Sequence, residues 1–276
     1  MQATVLSIAG SDPTGGAGIQ ADLKTMTSIG VYGAAAVTCI TIQNSRGVTE
    51  VECLPPGLVH GQIKAVLDDH RVTHVKIGMV GNTAIAGAVR DALAGFRGEI
   101  IYDPVMLSST GQPLLQGDMQ GILELAARCT VLTPNIPELA QLSGAKIVGG
   151  QDVRHHAGLL LERYRSLRGV LVKGGHAVRD TAIADHLIYR ADGAVRTMTL
   201  SHPAIKSGNT HGTGCTLASA FASFHCLGGD YVRSFQQSVD YVQTVLKQSA
   251  ETRIVRNPEG QGGMLHHCYR PGHENS

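Results

Sequence analysis

The sequence has few of the residues that mark nucleic-acid-binding or membrane proteins. It contains no Trp and only four Phe, whereas proteins that hold single-stranded nucleic acid stack the bases on aromatic side chains. Its 23 basic and 22 acidic residues leave a formal net charge of +1, so no basic surface for a polyanion is expected. No apolar run reaches the roughly 18 residues of a membrane-spanning helix. We therefore expect a small-molecule partner, with no nucleic acid and no membrane.

Zinc-binding and export signals are also scarce. The six cysteines form no C-x-x-C pair, which disfavours a structural zinc site. The first residues, MQATVLSIAGSDP, lack a basic segment and reach a polar turn at Ser11 and Asp12, which argues against a signal peptide. A reducing cytoplasm is therefore the expected location.

The chain does contain short apolar runs that alternate with helical periodicity. Strands are predicted at residues 4–10, 34–42, 74–79, 99–105, 129–135 and 169–175, with helices between them. Two further runs on either side of Ala191-Asp192-Gly193 predict a β-hairpin. This pattern predicts the α/β class: a mostly parallel sheet, helices on both faces and the hairpin at one edge. We expect a single domain over residues 1–276, with an irregular tail at 257–276.

Polar residues follow these strands where each strand ends. The carboxyl ends of parallel strands lie along one edge of the sheet, and ligands bind there in such folds. The segments expected to converge at that edge are Gly10-Ser11-Asp12, Gln43-Asn44, Gly78-Met79, Asp103-Pro104, Asn135 to Glu138 and Lys173-Gly174.

The first glycine-rich segment, GSDPTGGAGIQAD at residues 10–22, joins a strand to a helix. It formally matches G-x-G-x-x-A, but the first glycine of that match lies well past the strand. The second strand ends in Ile42-Gln43-Asn44, without an acid for a ribose hydroxyl, so an NAD-dependent enzyme is disfavoured. A phosphate-binding loop and a purely structural connection both remain open.

The second glycine-rich segment, NTHGTGC at residues 209–215, precedes an apolar helix. Gly212, Thr213 and Gly214 allow the backbone to approach a ligand, so their N–H groups can form an anion hole at the helix start. Cys215 lies in the first turn, where the helix dipole favours a thiolate. The thiolate could act as a base or a nucleophile, and a buried packing residue is the alternative.

Three further positions carry charge or hard oxygen ligands. Asp103 and Glu138 lie on separate loops and suit Mg²⁺. A turn would equally explain Asp103, and first-turn helix electrostatics would explain Glu138. Lys173 ends a strand beside two glycines, from where it can reach a phosphate, although most lysines are merely solvated.

These segments together resemble a known family. The segments IAGSDPTGGAGIQADLKT, QNSRGV, KIGM, DPVM, TPNIPE, VKGGH and NTHGTGCTLASA occur in this order. They are similar to those of the hydroxymethylpyrimidine and phosphomethylpyrimidine kinases of thiamin biosynthesis, within the ribokinase superfamily. The resemblance implies a ribokinase-like three-layer α/β/α fold and a homodimer. It also implies two ATP-dependent steps, which phosphorylate the hydroxymethyl group and then the monophosphate.

The resemblance further implies roles for individual residues. The pyrimidine pocket would be lined by Gly10, Asp22, Gln43, Met79 and Val105. Lys173, Asn135 and Thr213 would meet the nucleotide, and Asp103 and Glu138 would hold Mg²⁺ and its waters. Gly212 and Gly214 would form the anion hole, and Cys215 stands where sugar kinases of the superfamily carry a catalytic Asp.

Two alternatives lie on the same fold. A pyridoxal kinase would also act on a ring hydroxymethyl group, although the Gln43 amide favours an aminopyrimidine because it can pair with a ring nitrogen and an amino group together. A non-catalytic ligand sensor would be expected to lose Lys173, Glu138 or Cys215, and all three are present.

Overall fold

Nine strands form one sheet in the computed structural model, which describes residues 4–108, 111–175, 182–205, 207–252 and 254–256. The strands are β1 (Thr4–Ser11), β2 (Tyr32–Asn44), β3 (Gly47–Cys53), β4 (Val72–Ile77), β5 (Glu99–Tyr102), β6 (Val131–Leu132), β7 (Gly169–Val172), β8 (Ala182–Ala191) and β9 (Ala194–Pro203). Their order in the sheet is β3-β2-β1-β4-β5-β6-β7-β8-β9. The six adjacent strands β2, β1, β4, β5, β6 and β7 are parallel to one another. Strands β3, β8 and β9 are antiparallel to their neighbours.

Helices cover both faces of the sheet. They are α1 (Gly18–Ile29), α2 (Pro56–Asp69), α3 (Thr83–Ala92), α4 (Gln120–Ala126), α5 (Ile136–Ser143), α6 (Gly150–Arg163), α7 (Thr213–Gly228) and α8 (Tyr231–Ser249). Helices α2 to α6 share one apolar core with the strands, and α1, α7 and α8 share the other. Adjacent residues of β1 divide between the cores, Val5 in one and Leu6 in the other, because side chains alternate along a strand.

The predicted three-layer α/β/α architecture is confirmed, and so is the edge hairpin, formed by β8 and β9. Strand β3 was not predicted: it is a half-exposed edge strand without a continuous apolar run. Because β2 continues to Asn44 to pair with it, Gln43 lies within a strand, and the expectation that it follows one is wrong. The tail at 257–276 lies outside the described residues, and the single domain remains a prediction.

Within the described ranges, every helix is too short or too polar to cross a membrane.

Candidate active site

A cavity of about 710 Å³ opens at the carboxyl ends of the parallel strands. Its volume lies within the range typical of small-molecule sites. The predicted site residues that line it are Gly10, Gln43, Met79, Asp103, Val105, Asn135, Glu138, Lys173, Gly212, Thr213, Gly214 and Cys215. Each of the six segments expected to converge contributes to this cavity, through Gly10, Gln43, Met79, Asp103, Asn135, Glu138 and Lys173.

The first glycine-rich loop is organised around the buried carboxylate of Asp12. Its oxygens accept hydrogen bonds from the backbone N–H and hydroxyl of Thr14 and from the N–H of Ala17, at 2.7–2.8 Å. His211 Nε2 lies 2.9 Å from Asp12 Oδ2, which ties this loop to the second glycine-rich segment. Burial would raise the pKa of Asp12, but hydrogen bonds with His211, Thr14 and Gln43 outweigh it and hold that pKa well below its ordinary value. Asp12 therefore connects the two loops as a permanent anion.

The second segment places the start of α7 against the first loop. Gly212 is the N-cap of the helix and has φ 87°, a left-handed conformation that favours glycine. A Cβ atom at Gly212 would lie only 1.8 Å from the carbonyl oxygen of Gly16. The first N–H groups of a helix have no partner within the helix. Because Gly214 and Cys215 line the cavity at this helix start, their N–H groups are available to an anion, and we call this place the anion-binding corner.

Lys173 lies between two buried carboxylates in this corner. Its Nζ atom is 2.5 Å from Asp103 Oδ1 and 3.6 Å from Glu138 Oε2. Burial would lower the pKa of Lys173, but the two carboxylates outweigh it and raise that pKa, so the ammonium is charged. Burial raises the pKa of Glu138 although Lys173 opposes the change. A Cβ atom at Gly214 would lie 3.3 Å from Lys173 Nζ, so glycine allows the helix start to approach the cation.

Glu138 and Asn135 hold each other in place at the start of α5. The Asn135 side chain accepts a hydrogen bond from the N–H of Glu138, and Glu138 Oε2 accepts one from the N–H of Asn135. This reciprocal arrangement is a capping box. The capping box uses only the Oε2 atom of the Glu138 carboxylate.

The acidic oxygens fit a magnesium ion. Asp103 Oδ2 is buried and has no hydrogen-bond partner among the described residues, and a buried carboxylate oxygen left in this state is costly. No group of three or more His, Cys, Asp or Glu side chains in the described ranges could hold a metal ion. Mg²⁺ commonly takes one or two carboxylates and completes its shell with waters and substrate phosphates. Asp103, supported by Glu138, meets that requirement.

Cys215 lies at the cavity, but its ionisation differs from the sequence-based expectation. Burial raises the pKa of the thiol to about 11; Lys76 lowers that pKa, while Asp22 and Asp103 raise it further. With its pKa at about 11, Cys215 is a thiol at neutral pH, so the prediction of a thiolate at the helix start is wrong. Loss of hydration and two nearby carboxylates outweigh the helix dipole and the lysine.

Asp22 is the one predicted site residue that does not line the cavity. Its side chain is fully buried and accepts hydrogen bonds from Ser7, Ser219 and Lys76, with both oxygens 2.9 Å from Lys76 Nζ. The expectation that Asp22 lines the pyrimidine pocket is therefore wrong, because both of its carboxylate oxygens already accept hydrogen bonds beneath the cavity.

The other predicted ring-binding residues, Gly10, Gln43, Met79 and Val105, form a slot in the cavity wall. A Cβ atom at Gly10 would lie 3.1 Å from Met79 Sδ, so glycine leaves room for the thioether. The Thr38 hydroxyl donates to the Met79 carbonyl at 2.6 Å, and the Thr41 hydroxyl donates to the Ser11 carbonyl at 2.9 Å. These bonds fix the slot wall that carries Gln43.

The sequence reasoning missed the far end of the cavity. Asp185 and His202, from β8 and β9, line it as a pair with Oδ2 and Nε2 2.9 Å apart, and Asp185 also accepts the N–H of Gly174. The hydrogen bond with Asp185 raises the pKa of His202. Apolar side chains of α8, among them Val242 and Leu246, complete this end. The only sequence signal for these α8 side chains is the amphipathic pattern of the helix, which also predicts ordinary core packing.

Comparisons with known proteins agree with this arrangement. The family model described as phosphomethylpyrimidine kinase matches residues 12–259. The chain is 39% identical to the hydroxymethylpyrimidine/phosphomethylpyrimidine kinase of Rhizobium meliloti over 98% of both chains.

Solved structures give the same grouping. A phosphomethylpyrimidine kinase from Clostridium difficile superposes with a TM-score of 0.72 and 32% identity, covering 88% of this chain and 99% of that one. The pyridoxal kinase from Staphylococcus aureus, solved with pyridoxal, has a TM-score of 0.82 and 25% identity, covering 97% and 94%. These neighbours are ribokinase-like kinases, as the sequence motifs predicted. The chain belongs to the phosphomethylpyrimidine kinase family.

Proposed function

We propose that this chain uses ATP to phosphorylate 4-amino-5-hydroxymethyl-2-methylpyrimidine, and then its monophosphate, in thiamin biosynthesis. The observation that carries the proposal is the meeting of three elements in one cavity. These are a small slot with an amide at Gln43, an anion-binding corner at the start of α7, and a lysine between two carboxylates.

The slot suits the aminopyrimidine ring. The side-chain amide of Gln43 can donate to a ring nitrogen and accept from the exocyclic amino group. Met79 and Val105 supply apolar contacts on the ring faces, and Gly10 allows close approach. The hydroxymethyl group then points toward the start of α7.

Phosphoryl transfer depends on alignment and on neutralising charge on the moving phosphoryl group. The N–H groups of Gly214 and Cys215 are placed to receive phosphoryl oxygens, and Lys173 adds a positive charge beside them. Mg²⁺, held by Asp103 and by waters oriented by Glu138, would neutralise phosphate charge when bound. Thr213 and Asn135 line the same wall, where they can contact the nucleotide phosphates.

Cys215 is the nearest candidate to accept the substrate proton. Because its thiol pKa is about 11, the thiol would have to lose its own proton before it could accept another. In a loose transition state, the substrate hydroxyl becomes acidic only late in the phosphoryl transfer. Removal of its proton therefore contributes less to the rate than alignment of the reacting groups does. Cys215 therefore serves chiefly to shape the corner, with the base role the alternative.

The active protein is proposed to be a homodimer in the cytoplasm. The homodimer rests on the family resemblance of the motifs, and the cytoplasm rests on the cysteine pattern of the sequence.

Pyridoxal phosphorylation is the second candidate function. It is favoured by the structural similarity to the Staphylococcus aureus pyridoxal kinase over nearly the whole chain. Pyridoxal also presents a hydroxymethyl group on a six-membered ring, so the same corner could receive it.

A panel of acceptors tests the proposal. ATP consumption is measured with the pyrimidine alcohol, its monophosphate, pyridoxal and ribose at matched concentrations. The pyrimidine alcohol should give the highest kcat/KM, and the monophosphate should also be consumed. Gln43→Leu should lower kcat/KM for the pyrimidine more than for pyridoxal. A preference for ribose, or no acceptor-dependent ATP consumption, would contradict the proposal.

A further inference from the structure

Two cysteines stand directly opposite each other near one edge of the sheet. Cys39 on β2 pairs in register with Cys53 on β3, and their Sγ atoms are 3.3 Å apart. Both are free thiols. Opposed residues of an antiparallel pair have Cα atoms roughly 4.5–5.5 Å apart, which lies within the range that a disulfide spans. A small approach of the two sulfurs would therefore complete a bond.

The pair lies against the segment that walls the ring-binding slot. A Cβ atom at Gly81 would lie 2.3 Å from Cys39 Sγ and 2.7 Å from Cys53 Sγ, so both sulfurs fill the space that glycine leaves. Gly81 follows Met79 by two residues, and Met79 lines the cavity. Strand β2 also carries Gln43, four residues after Cys39. The sulfur pair is thus placed next to two sides of the slot.

The two thiols differ in accessibility. Cys39 is fully buried, whereas Cys53 is half-buried on the edge strand. A small disulfide in solution would therefore reach Cys53 first. Cys39 is then placed to attack Cys53 from inside the protein.

We propose that Cys39 and Cys53 form a reversible redox-modification site whose closure alters the ring-binding slot. In the first step, the Cys53 thiolate attacks glutathione disulfide, forms a mixed disulfide and releases one glutathione thiolate. In the second step, the Cys39 sulfur, losing its proton, attacks the Cys53 sulfur and releases the second glutathione thiolate. The two protein thiols lose two electrons, and glutathione disulfide gains them. Disulfides that form in reducing compartments are transient and commonly sense redox state.

Peptide mapping tests the modification itself. Trypsin cleaves after Lys24, Arg46 and Lys64, so Cys39 and Cys53 fall in separate peptides, 25–46 and 47–64. The folded protein is incubated with glutathione disulfide, its remaining thiols are alkylated, and the digest is analysed by mass spectrometry. The two peptides should appear as one linked species that dithiothreitol separates. Two free or separately glutathionylated cysteines, or a link to another cysteine, would overturn the proposal.

Two matched variants serve as controls. Cys53→Ser should abolish the linked species, whereas Cys226→Ser, at a half-buried position on α7, should leave it unchanged. Circular dichroism verifies that both variants are folded. Linkage of peptide 25–46 to any partner in Cys53→Ser would count against the assignment.

Kinetics test the link to the slot, and this readout rests on the proposed function. Oxidised wild type should show a KM for the pyrimidine alcohol raised about threefold or more, since displacements of about 1 Å near a site can cost much more. The KM for ATP should stay constant, and Cys53→Ser should show no such difference. An unchanged pyrimidine KM in fully linked protein would overturn the link to the slot. The peptide map requires no kinase activity, so failure of the two proposals is distinguishable.

Discussion

Two lysine–aspartate pairs lie near the same cavity, one beneath it and one in its wall, and they differ in how completely their hydrogen-bonding groups are used. The Lys76–Asp22 pair has no exposed surface, and both Asp22 oxygens accept hydrogen bonds from Lys76 and from a serine. In the Lys173–Asp103 pair, Lys173 is 13% exposed, and Asp103 Oδ2 has no partner among the described residues. The Lys76–Asp22 pair, whose carboxylate oxygens are all engaged, can only stabilise the fold. The Lys173–Asp103 pair has an unused carboxylate oxygen and a partly exposed lysine, so it can bind a ligand.

The largest effect on stability is expected from Lys76→Met. The substitution would leave the Asp22 carboxylate buried and without its cation, which costs about 3–5 kcal/mol of unfolding free energy. Urea denaturation followed by circular dichroism measures the loss. Adding Asp22→Asn should restore part of it, because the uncompensated charge is then gone. Wild-type stability in Lys76→Met would show that the pair does not support the fold.

Lys173→Met should lower the catalytic rate strongly and the stability of the fold only a little. Loss of a cation that stabilises the transferring phosphoryl group is expected to lower kcat by about 10²–10³-fold. The unfolding free energy should fall less than in Lys76→Met, since water and ions in the cavity can reach Asp103. Steady-state kinetics and urea denaturation of the two methionine variants, measured side by side, provide the comparison. An equal stability loss in both would remove the distinction between the pairs.

Glu138→Gln should change metal dependence and leave the fold intact. The amide can keep the hydrogen bond from the N–H of Asn135, so the capping box survives. Loss of the charge near Asp103 is expected to raise the Mg²⁺ concentration for half-maximal activity by about tenfold. Titration of Mg²⁺ at saturating ATP measures it. Unaltered activity at limiting Mg²⁺ would separate Glu138 from the metal.

The smallest effect concerns Cys215, whose pKa is influenced by members of both pairs. With its thiol pKa at about 11, alkylation by iodoacetamide should accelerate steadily up to pH 9 without a plateau. Lys76 lowers that pKa, so alkylation should be slower still in Lys76→Met, provided the variant is folded. A plateau below pH 8 in wild type would restore the thiolate predicted from the helix dipole.

The same pairs show what a sequence can and cannot predict. Lys173 could be identified because it follows a strand beside two glycines, within a family-specific motif. Lys76 lies inside the apolar run HVKIGM, where nothing in the run indicates that Asp22, 54 residues earlier, neutralises it. Strand β3 escaped prediction for a related reason. It is exposed, and only its pairing with β2 makes it a strand. Local patterns predict elements, whereas partners distant in sequence decide what a buried charge does.

The contact between Asp12 and His211 has a consequence for protein synthesis. The two residues are 199 positions apart, so the first loop must wait for most of the chain to leave the ribosome before its partner exists. Strand β1 lies in the interior of the sheet, and its helix α1 packs on α7, so an early and a late segment of the chain meet at the anion-binding corner. Nascent chains that end before α7 therefore have no complete corner. ATP can stabilise the fold only after α7 is made, because a ligand stabilises only the states that bind it.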